Sequence, residues 1–545
     1  MDKEVFVIEF PLKVEKWQSD ILNKRYEHLR QLYNYVQGKL LRQYKYLIQF
    51  DEYRQHNFSK EKELALSEKG NKKALKAIRC IKEQFFKEHP LRISDIRGRN
   101  GEPCNITITK FGIACFVAKL GQRNVGSGLT YSDLGINSHI LEFLSDSIWY
   151  SWEKMLYDPE TKRIKFKKPG ELNSFASRGI GTGERKYFCG FDLQLETMTL
   201  DVKVNGKNGK NAKFITLPIK YNLKHADYEM TALAGGIESI KMVKVIRRSV
   251  RGSYKYYIQL TIEGEKPQKG RELGKGRVGI DLGPTTIAVS SNNTVSIDKL
   301  AAKCDNIEKD IHRLGRKIDR SRRTMNPDNF NPDGTVKRGV KLTWNNSARY
   351  KRLRQKMAEL QRKQAAVRKA QHIERANSLL SEGDTFIIEN NPIKGWSKRK
   401  KETKIDERTG SYKSKSGHGK SIKNHAPAMF VTIFENKVKS LGGMVLKVNT
   451  QNAASQYDFT DGSFTKHEPK ERSVTLSNGD THQRDMLAAF NLQHLMCDVN
   501  EVKKYDQEQM RSHYRQFCEL EQTEIERYKR RIKVDDRSTI AASRL

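Results

Sequence analysis

Residues 4 to 14 run Val5, Phe6, Val7, Ile8, Phe10 and predict a strand that ends near Pro11. Directly afterwards Leu22, Tyr26, Leu29, Tyr33, Val36, Leu40 and Leu47 recur at steps of three and four. That period places them on one face of a long helix, with Lys24, Arg25, Arg30 and Arg42 expected opposite. An aromatic stripe at this spacing reads as packing core, so Tyr26 and Tyr33 are taken as structural. Residues 58–90 read as a further basic helix, and 130–157 as another carrying Trp149 and Trp152.

From about residue 160 the texture turns to strands. Two alternating runs flank Arg251-Gly252-Ser253 and predict a hairpin. Lys241, Lys244, Arg247, Arg248, Arg251 and Lys255 would then line a basic two-stranded surface suited to phosphates. Further on, Ile307, Ile311, Leu314 and Ile318 make one helical seam, and Leu353, Met357, Leu360 and Val367 a second. The turn-rich stretch between them makes a helical hairpin. Arg320 and Arg349 belong to its basic exposed faces, which suit a duplex backbone. Residues 394–424 are polar, Lys-, Ser- and Gly-rich, and read as a mobile loop or lid. The stretch from about 500 is a charged, helix-prone tail.

Length and charge narrow the function. At 545 residues the chain exceeds one ordinary hydrophobic core, so several domains are expected. Lys and Arg number 102 against 65 acidic residues, a surplus of 37 positive charges that calls for a polyanionic partner. No run approaches the ~20 apolar residues of a membrane span, and the first residues lack a signal-peptide core. An intracellular, cytoplasmic protein with no membrane partner is expected. The seven cysteines (Cys80, Cys104, Cys115, Cys189, Cys304, Cys497, Cys518) form no C-x-x-C pair, which argues against disulfides and a cysteine zinc site.

Three segments place an acid where an acid is costly. Asp281 ends the apolar strand of RVGIDLG, Glu389 closes Phe386-Ile387-Ile388, and Asp485 opens a helix with apolar Met486, Ala489, Phe490 and Leu492. Each alone is as easily a turn former or a helix cap. Their order is more restrictive, because clustered carboxylates are best tolerated with cations between them. Hard oxygen ligands favour Mg²⁺ or Mn²⁺, and two such ions would clamp a scissile phosphate.

These motifs resemble the RuvC segments of the transposon-encoded TnpB proteins and the related type V CRISPR effectors. GIDLG carries Asp281, the apolar strand carries Glu389, and R-D-x-x-A-A-x-N carries Arg484, Asp485, Ala488, Ala489 and Asn491. FKKPGELNSF, the helix start at Trp344, Ser347, Arg349, Tyr350 and Leu353, and APAMFVTIFENKVKSLGGMVLKVNTQ are similar in the same order.

The resemblance implies a multidomain α+β architecture with a split RNase-H-like (RuvC) nuclease domain. Strand 1–16 and residues 160–272 would form a β-barrel wedge, and 17–159 a helical recognition lobe. Residues 273–450 would be the first nuclease part, 451–483 a target-nucleic-acid-binding insert, 484–499 the second part and 500–545 the tail. It further implies RNA-guided DNA cleavage at Asp281, Glu389 and Asp485. The partners would be a guide RNA, from a transposon or a CRISPR array, and double- and single-stranded DNA. A monomer or a homodimer would sit on one RNA. Family members commonly carry a zinc ribbon before the last Asp, but residues 455–483 contain no cysteine, so no zinc is expected. His467 and His482 read as surface residues rather than leftover ligands.

Two other functions fit parts of this pattern. GIDLGPTT also suits the first phosphate loop of an actin-like ATPase, but no second phosphate loop or glycine-rich adenosine turn is found. A guide-dependent binder or repressor would use the same scaffold without cleavage.

Overall fold

The computed structural model describes residues 4–55, 60–68, 70–97, 103–121, 130–131, 134–158, 160–161, 163–178, 190–192, 197–205, 213–220, 226–267, 270–398, 418–467, 471–496 and 504–542. Most of the polar loop 394–424, together with Cys189 and Cys497, lies outside the described residues. The chain divides into two units, Met1–Pro267 and Gln268–Leu545. Among the described residues, no helix is long and apolar enough to cross a membrane.

In the first unit the N-terminal strand β1 (Val5–Pro11) is followed by α1 (Lys16–Leu47). Shorter helices follow, among them α2 (Lys72–Glu88), α3 (Lys110–Gly121) and α4 (Ser138–Tyr157). Strands β2 (Ser174–Arg178), β3 (Ile240–Val250) and β4 (Ser253–Glu263) join β1 in a sheet of order β1-β4-β3-β2. Arg251 and Gly252 both take left-handed backbone (φ 52° and 81°), the two-residue turn whose twist matches its flanking strands.

The apolar stripe of α1 packs onto this sheet. Tyr26 is fully buried, donates to the Val245 carbonyl at 3.1 Å and meets the Phe175 ring at 5.1 Å. Trp152 of α4 donates to Gln37 of α1 at 2.7 Å. Arg25 departs from the amphipathic expectation: only 2% exposed, it lies over the Phe175 ring instead of facing solvent. A second sheet, of strands 190–192, 197–205 and 213–218, meets the end of β1 through a Leu12–Ile219 bridge. Among the described residues, no closed barrel forms.

The second unit is a three-layer sandwich. Strands β5 (Arg277–Leu282), β6 (Thr286–Ser290) and β7 (Val295–Lys299) form an antiparallel meander. The helical hairpin follows as α5 (Cys304–Met325) and α6 (Ala348–Leu379), with Ile311, Ile318 and Met357 buried between them. Ser347 caps α6 by accepting from the Tyr350 N–H at 3.1 Å. Strand β8 (Thr385–Glu389), helix α7 (Pro427–Ser440) and strand β9 (Met444–Val448) complete a sheet of order β7-β6-β5-β8-β9. A small hairpin, β10 (Ser473–Thr475) and β11 (Thr481–Gln483), leads into α8 (Arg484–Gln493), and α9 (Gln507–Ala542) ends the unit.

Strand alternation decides which residues face which layer. Val278, Ile280, Leu282, Phe386 and Ile388 pack with Phe430, Phe434 and Val438 of α7 and with the end of α6. Ala288 and Ile387 belong to the opposite core, with Met486, Ala489 and Phe490 of α8 and Met510 and Phe517 of α9. The tail that sequence left without a role is thus part of a core.

Candidate active site

The site is built by three strand-end and helix-start positions on one face of the five-stranded sheet of the second unit. β5 and β8 are parallel neighbours with Ile280 opposite Ile388, so Asp281 and Glu389 are the next residues on adjacent strands. Both alternate with the α7-facing residues and share the α8 side with Gly279 and Ile387.

Gly279 fixes where α8 lies. A Cβ built on it would stand 1.9 Å from the Ala489 carbonyl oxygen and 2.4 Å from the Gln493 nitrogen, so the helix backbone rests directly on the strand. Two positions earlier, Arg277 donates to the carbonyls of Gln493 (3.0 Å) and Leu495 (2.5 Å) at the C-terminal end of α8. The helix therefore runs opposite to β5. Two strand residues beyond Gly279 is Asp281, about 6.6 Å along the strand. One helical turn before Ala489 is Asp485, about 6 Å along the helix. The two steps match, and the helix-start acid arrives over the strand-end acid.

The electrostatics register this convergence. Burial, then the negative charges of Asp485 and Glu389, push the Asp281 carboxyl up to about 8, with Arg484 pulling the other way. Glu389 is also raised by burial, against the Ala454 N–H and the Asn391 side chain, which both lower it. Asp485 faces two guanidiniums, Arg484 at 3.3 Å and Arg472 at 3.5 Å. The Gln483 side chain caps α8 by accepting from Met486 N at 2.7 Å. Among the described residues, no three acid, His or Cys side chains converge tightly enough to ligate one ion. The donor chemistry of the trio, hard oxygens carrying mutually repelling charge, suits a divalent cation such as Mg²⁺.

Several residues of this region carry no motif signal. Gly279 is one apolar-strand glycine among others in the sequence, and Arg277 and Arg472 are two arginines among many. Tyr505 lies in the tail, yet its hydroxyl feels the Glu389 charge. His482 corrects the surface reading: 4% exposed, it bonds Glu521 of α9 at 2.5 Å and Tyr514 at 2.7 Å. Both ring nitrogens are thereby partnered, as a buried imidazole requires. His467 pairs with Glu471 at 3.5 Å.

The predicted phosphate-contacting residues divide. Arg251, Arg320 and Arg349 are exposed. Lys241 pairs with Glu263, and Arg248 grips Glu9 with two bonds of 2.6 and 2.7 Å. Lys244 lies over the Phe143 ring at 5.5 Å. Arg247 does not line the surface assigned to it: 5% exposed, it is stacked between Tyr26 (4.3 Å) and Tyr254 (4.5 Å) and donates to Asn23, Asn173 and the Leu172 carbonyl. Its inward strand parity, hidden by its charge, explains the difference.

No protein-family model matches the chain, and no curated protein does. Among solved structures it is similar to a Cas12f1–sgRNA–target DNA complex at 12% identity, covering 90% of this chain and 99% of that one, with a TM-score of 0.43. A CRISPR-Cas12f ternary complex aligns at 15% identity over 69% of this chain and 73% of that one, with a TM-score of 0.25. CasPhi-2 (Cas12j) bound to crRNA aligns at 12% identity over 57% of this chain and 63% of that one, with a TM-score of 0.27.

Proposed function

We propose that the chain is an RNA-guided DNA endonuclease of the compact type V kind with one RuvC-like site. The observation that carries this reading is the shared placement just described: Asp281 and Glu389 near the ends of adjacent parallel strands, with Asp485 starting the helix laid over the same face. A surplus of 37 positive charges supports a nucleic-acid substrate over a nucleotide.

Asp281, Glu389 and Asp485 would hold the Mg²⁺ or Mn²⁺ ions, which when bound polarise a phosphodiester and a water. The chain's own residues do the rest. α8 presents its N-terminal end, the positive pole of its dipole, toward the anionic site. Arg484 and Arg472 hold Asp485 and offer guanidiniums to a phosphate. Exposed Arg320 and Arg349 on the helical hairpin, and Arg251 on the β3–β4 turn, would contact backbone phosphates of guide RNA and DNA. In this reading the sheets of the first unit are the wedge that grips the guide scaffold, its helices lie along the guide–target duplex, and base pairing reads the sequence.

The test separates cutting from binding. RNA that co-purifies with the chain is sequenced, then DNA complementary to its variable segment is offered with Mg²⁺. The parent is expected to bind and cut, and Asp281→Ala, Glu389→Ala and Asp485→Ala to bind without cutting. A variant that cuts as well as the parent ends the nuclease reading. A guide-dependent binder that never cuts is the second reading, favoured by the two guanidiniums on Asp485. It predicts binding without cleavage by the parent as well.

A further inference from the structure

The N–H of Ala454 acts on the Glu389 carboxyl against its burial, and it lies in the loop that follows Val448, the β9 residue paired with Glu389. That loop is held in an unusual way. Ala453, immediately before, takes left-handed backbone (φ 52°, ψ 42°), which an alanine adopts only where its surroundings enforce it. Two buried groups do the enforcing, and both come from elements later in the chain.

The first is Asn491 of α8. It is wholly buried, and its Nδ2 donates to the carbonyl of Ala454 at 2.8 Å and to that of Tyr457 at 2.9 Å. The peptide unit whose N–H serves Glu389 thus belongs to a residue pinned at its carbonyl by the helix that also carries Asp485. The second is Tyr505. Its hydroxyl donates to the Asn452 carbonyl at 2.7 Å, and its ring stacks on Tyr457 at 3.9 Å and 11°. Gln507 adds a bond from its Nε2 to the Tyr457 hydroxyl at 3.0 Å.

Resting on the nuclease reading, we propose that Asn491 and Tyr505 are positioning residues for Glu389, acting through residues 452–457 as a clamp that fixes the carboxylate's rotamer. Neither side chain touches substrate. Buried carbonyls need donors in any case, and a role confined to that need would be felt in stability alone. A clamp has a further effect: releasing it frees the Ala454 N–H and lets the Glu389 carboxylate turn, and a displacement near 1 Å at a reacting centre costs up to about a hundredfold in rate.

The test uses the full chain with its guide RNA. Tyr505→Phe keeps the ring and its stack and removes only the hydroxyl. Asn491→Asp keeps the shape and removes the donor. Backbone hydrogen exchange of peptides covering 385–390 and 449–458 is measured with thermal unfolding, target binding and single-turnover cleavage. Tyr505→Phe is expected to unfold within a few degrees of the parent and to bind target equally. It should exchange faster in both peptides and cut about tenfold more slowly. It should also need more Mg²⁺ to reach half its maximal rate, a shift that a purely structural role would not produce.

Faster exchange at 449–458 with unchanged cleavage and Mg²⁺ dependence overturns the positioning role. So does unchanged exchange in both peptides. A parent that binds and does not cut sinks the nuclease reading instead, and exchange at 385–390 still decides whether Tyr505 governs the end of β8. Should Asn491→Asp fail to fold, Tyr505→Phe alone decides the question.

Discussion

Gly279 and Ala489 touch backbone to backbone: a single added methyl on Gly279 would stand 1.9 Å from the Ala489 carbonyl oxygen. The contact sets the height and direction of α8 over β5 and, one turn away, the place of Asp485. Gly279→Ala must push the helix off the sheet, with an expected loss of at least ~3 kcal/mol. The measurement is denaturant unfolding of the purified chain. Under the nuclease reading, a variant that folds should still bind target and cut poorly, because Asp485 has moved.

Arg277 grips the other end of the same helix through two carbonyls. Arg277→Ala removes two charge-assisted bonds to main-chain carbonyls and is expected to cost ~1–3 kcal/mol. Thermal unfolding reads it, and Arg277→Lys should recover only part, since one ammonium cannot reproduce the fork.

The raised pKa of Asp281 carries a signed consequence. An unfolded aspartate titrates near 3.9, and Asp281 is pushed up to about 8. Between those values the folded chain holds a proton that the unfolded chain has released, so stability from this group falls as pH rises from about 4 to 8. In chelator, Asp281→Asn should be more stable than the parent at pH 8 by several kcal/mol, at roughly 1.4 kcal/mol per pH unit across that window. The gain should vanish toward pH 4. Under the nuclease reading, adding Mg²⁺ at pH 8 raises the parent's melting temperature and leaves that of Asp281→Asn where it was.

His494 has the opposite sign. Burial, with His513 beside it, pushes its ring down to about 4, and it bonds the Phe490 carbonyl and His513 Nδ1, each at 2.9 Å. The neutral ring is the folded form, so its contribution is complete above about 6.5 and is lost as pH falls from there to 4. Melting temperature between pH 7 and 4 should fall less steeply in His494→Gln than in the parent.

Arginines that look alike in sequence should separate in experiment. Arg247→Ala removes a guanidinium sandwiched between two tyrosines and is expected to destabilise the first unit by ~2–4 kcal/mol. Arg320→Ala and Arg349→Ala should leave unfolding unchanged and weaken RNA or DNA binding. Each should lower the salt slope of affinity by about one if its arginine contacts one phosphate. Filter binding across a salt series distinguishes the classes.

What sequence could show depended on whether a residue's role was written in its neighbours. The seam of α5 and α6, the Arg251-Gly252 turn and the strand that carries Asp281 are local patterns, and the structure contains them. Asp281, Glu389 and Asp485 could be picked out singly because an acid beside an apolar run is costly, but their convergence depends on Gly279 and on the direction of α8. Those are long-range facts. Arg25 and Arg247 were misplaced because charge outvoted position: each sits where helix or strand parity points inward, and each finds aromatic faces there. His482 was placed outside because its carboxylate partner, Glu521, is 39 residues away. The barrel expectation rested on resemblance alone, and the described strands form separate sheets.

Strand β7 is an outer strand of the five-stranded sheet, and the α9 carboxylate of Glu524 accepts from its Ile297 N–H at 3.3 Å while Arg527 lies 3.8 Å from Asp298. All five strands of that sheet leave the ribosome before the helix that covers this rim, and before the acid at residue 485. Throughout synthesis of the strands, a rim of bare amide groups is open to pairing with any passing chain. Closing the rim and completing the acid trio therefore belong to the same late stage of the molecule's making, so under the nuclease reading a half-made chain would be unarmed.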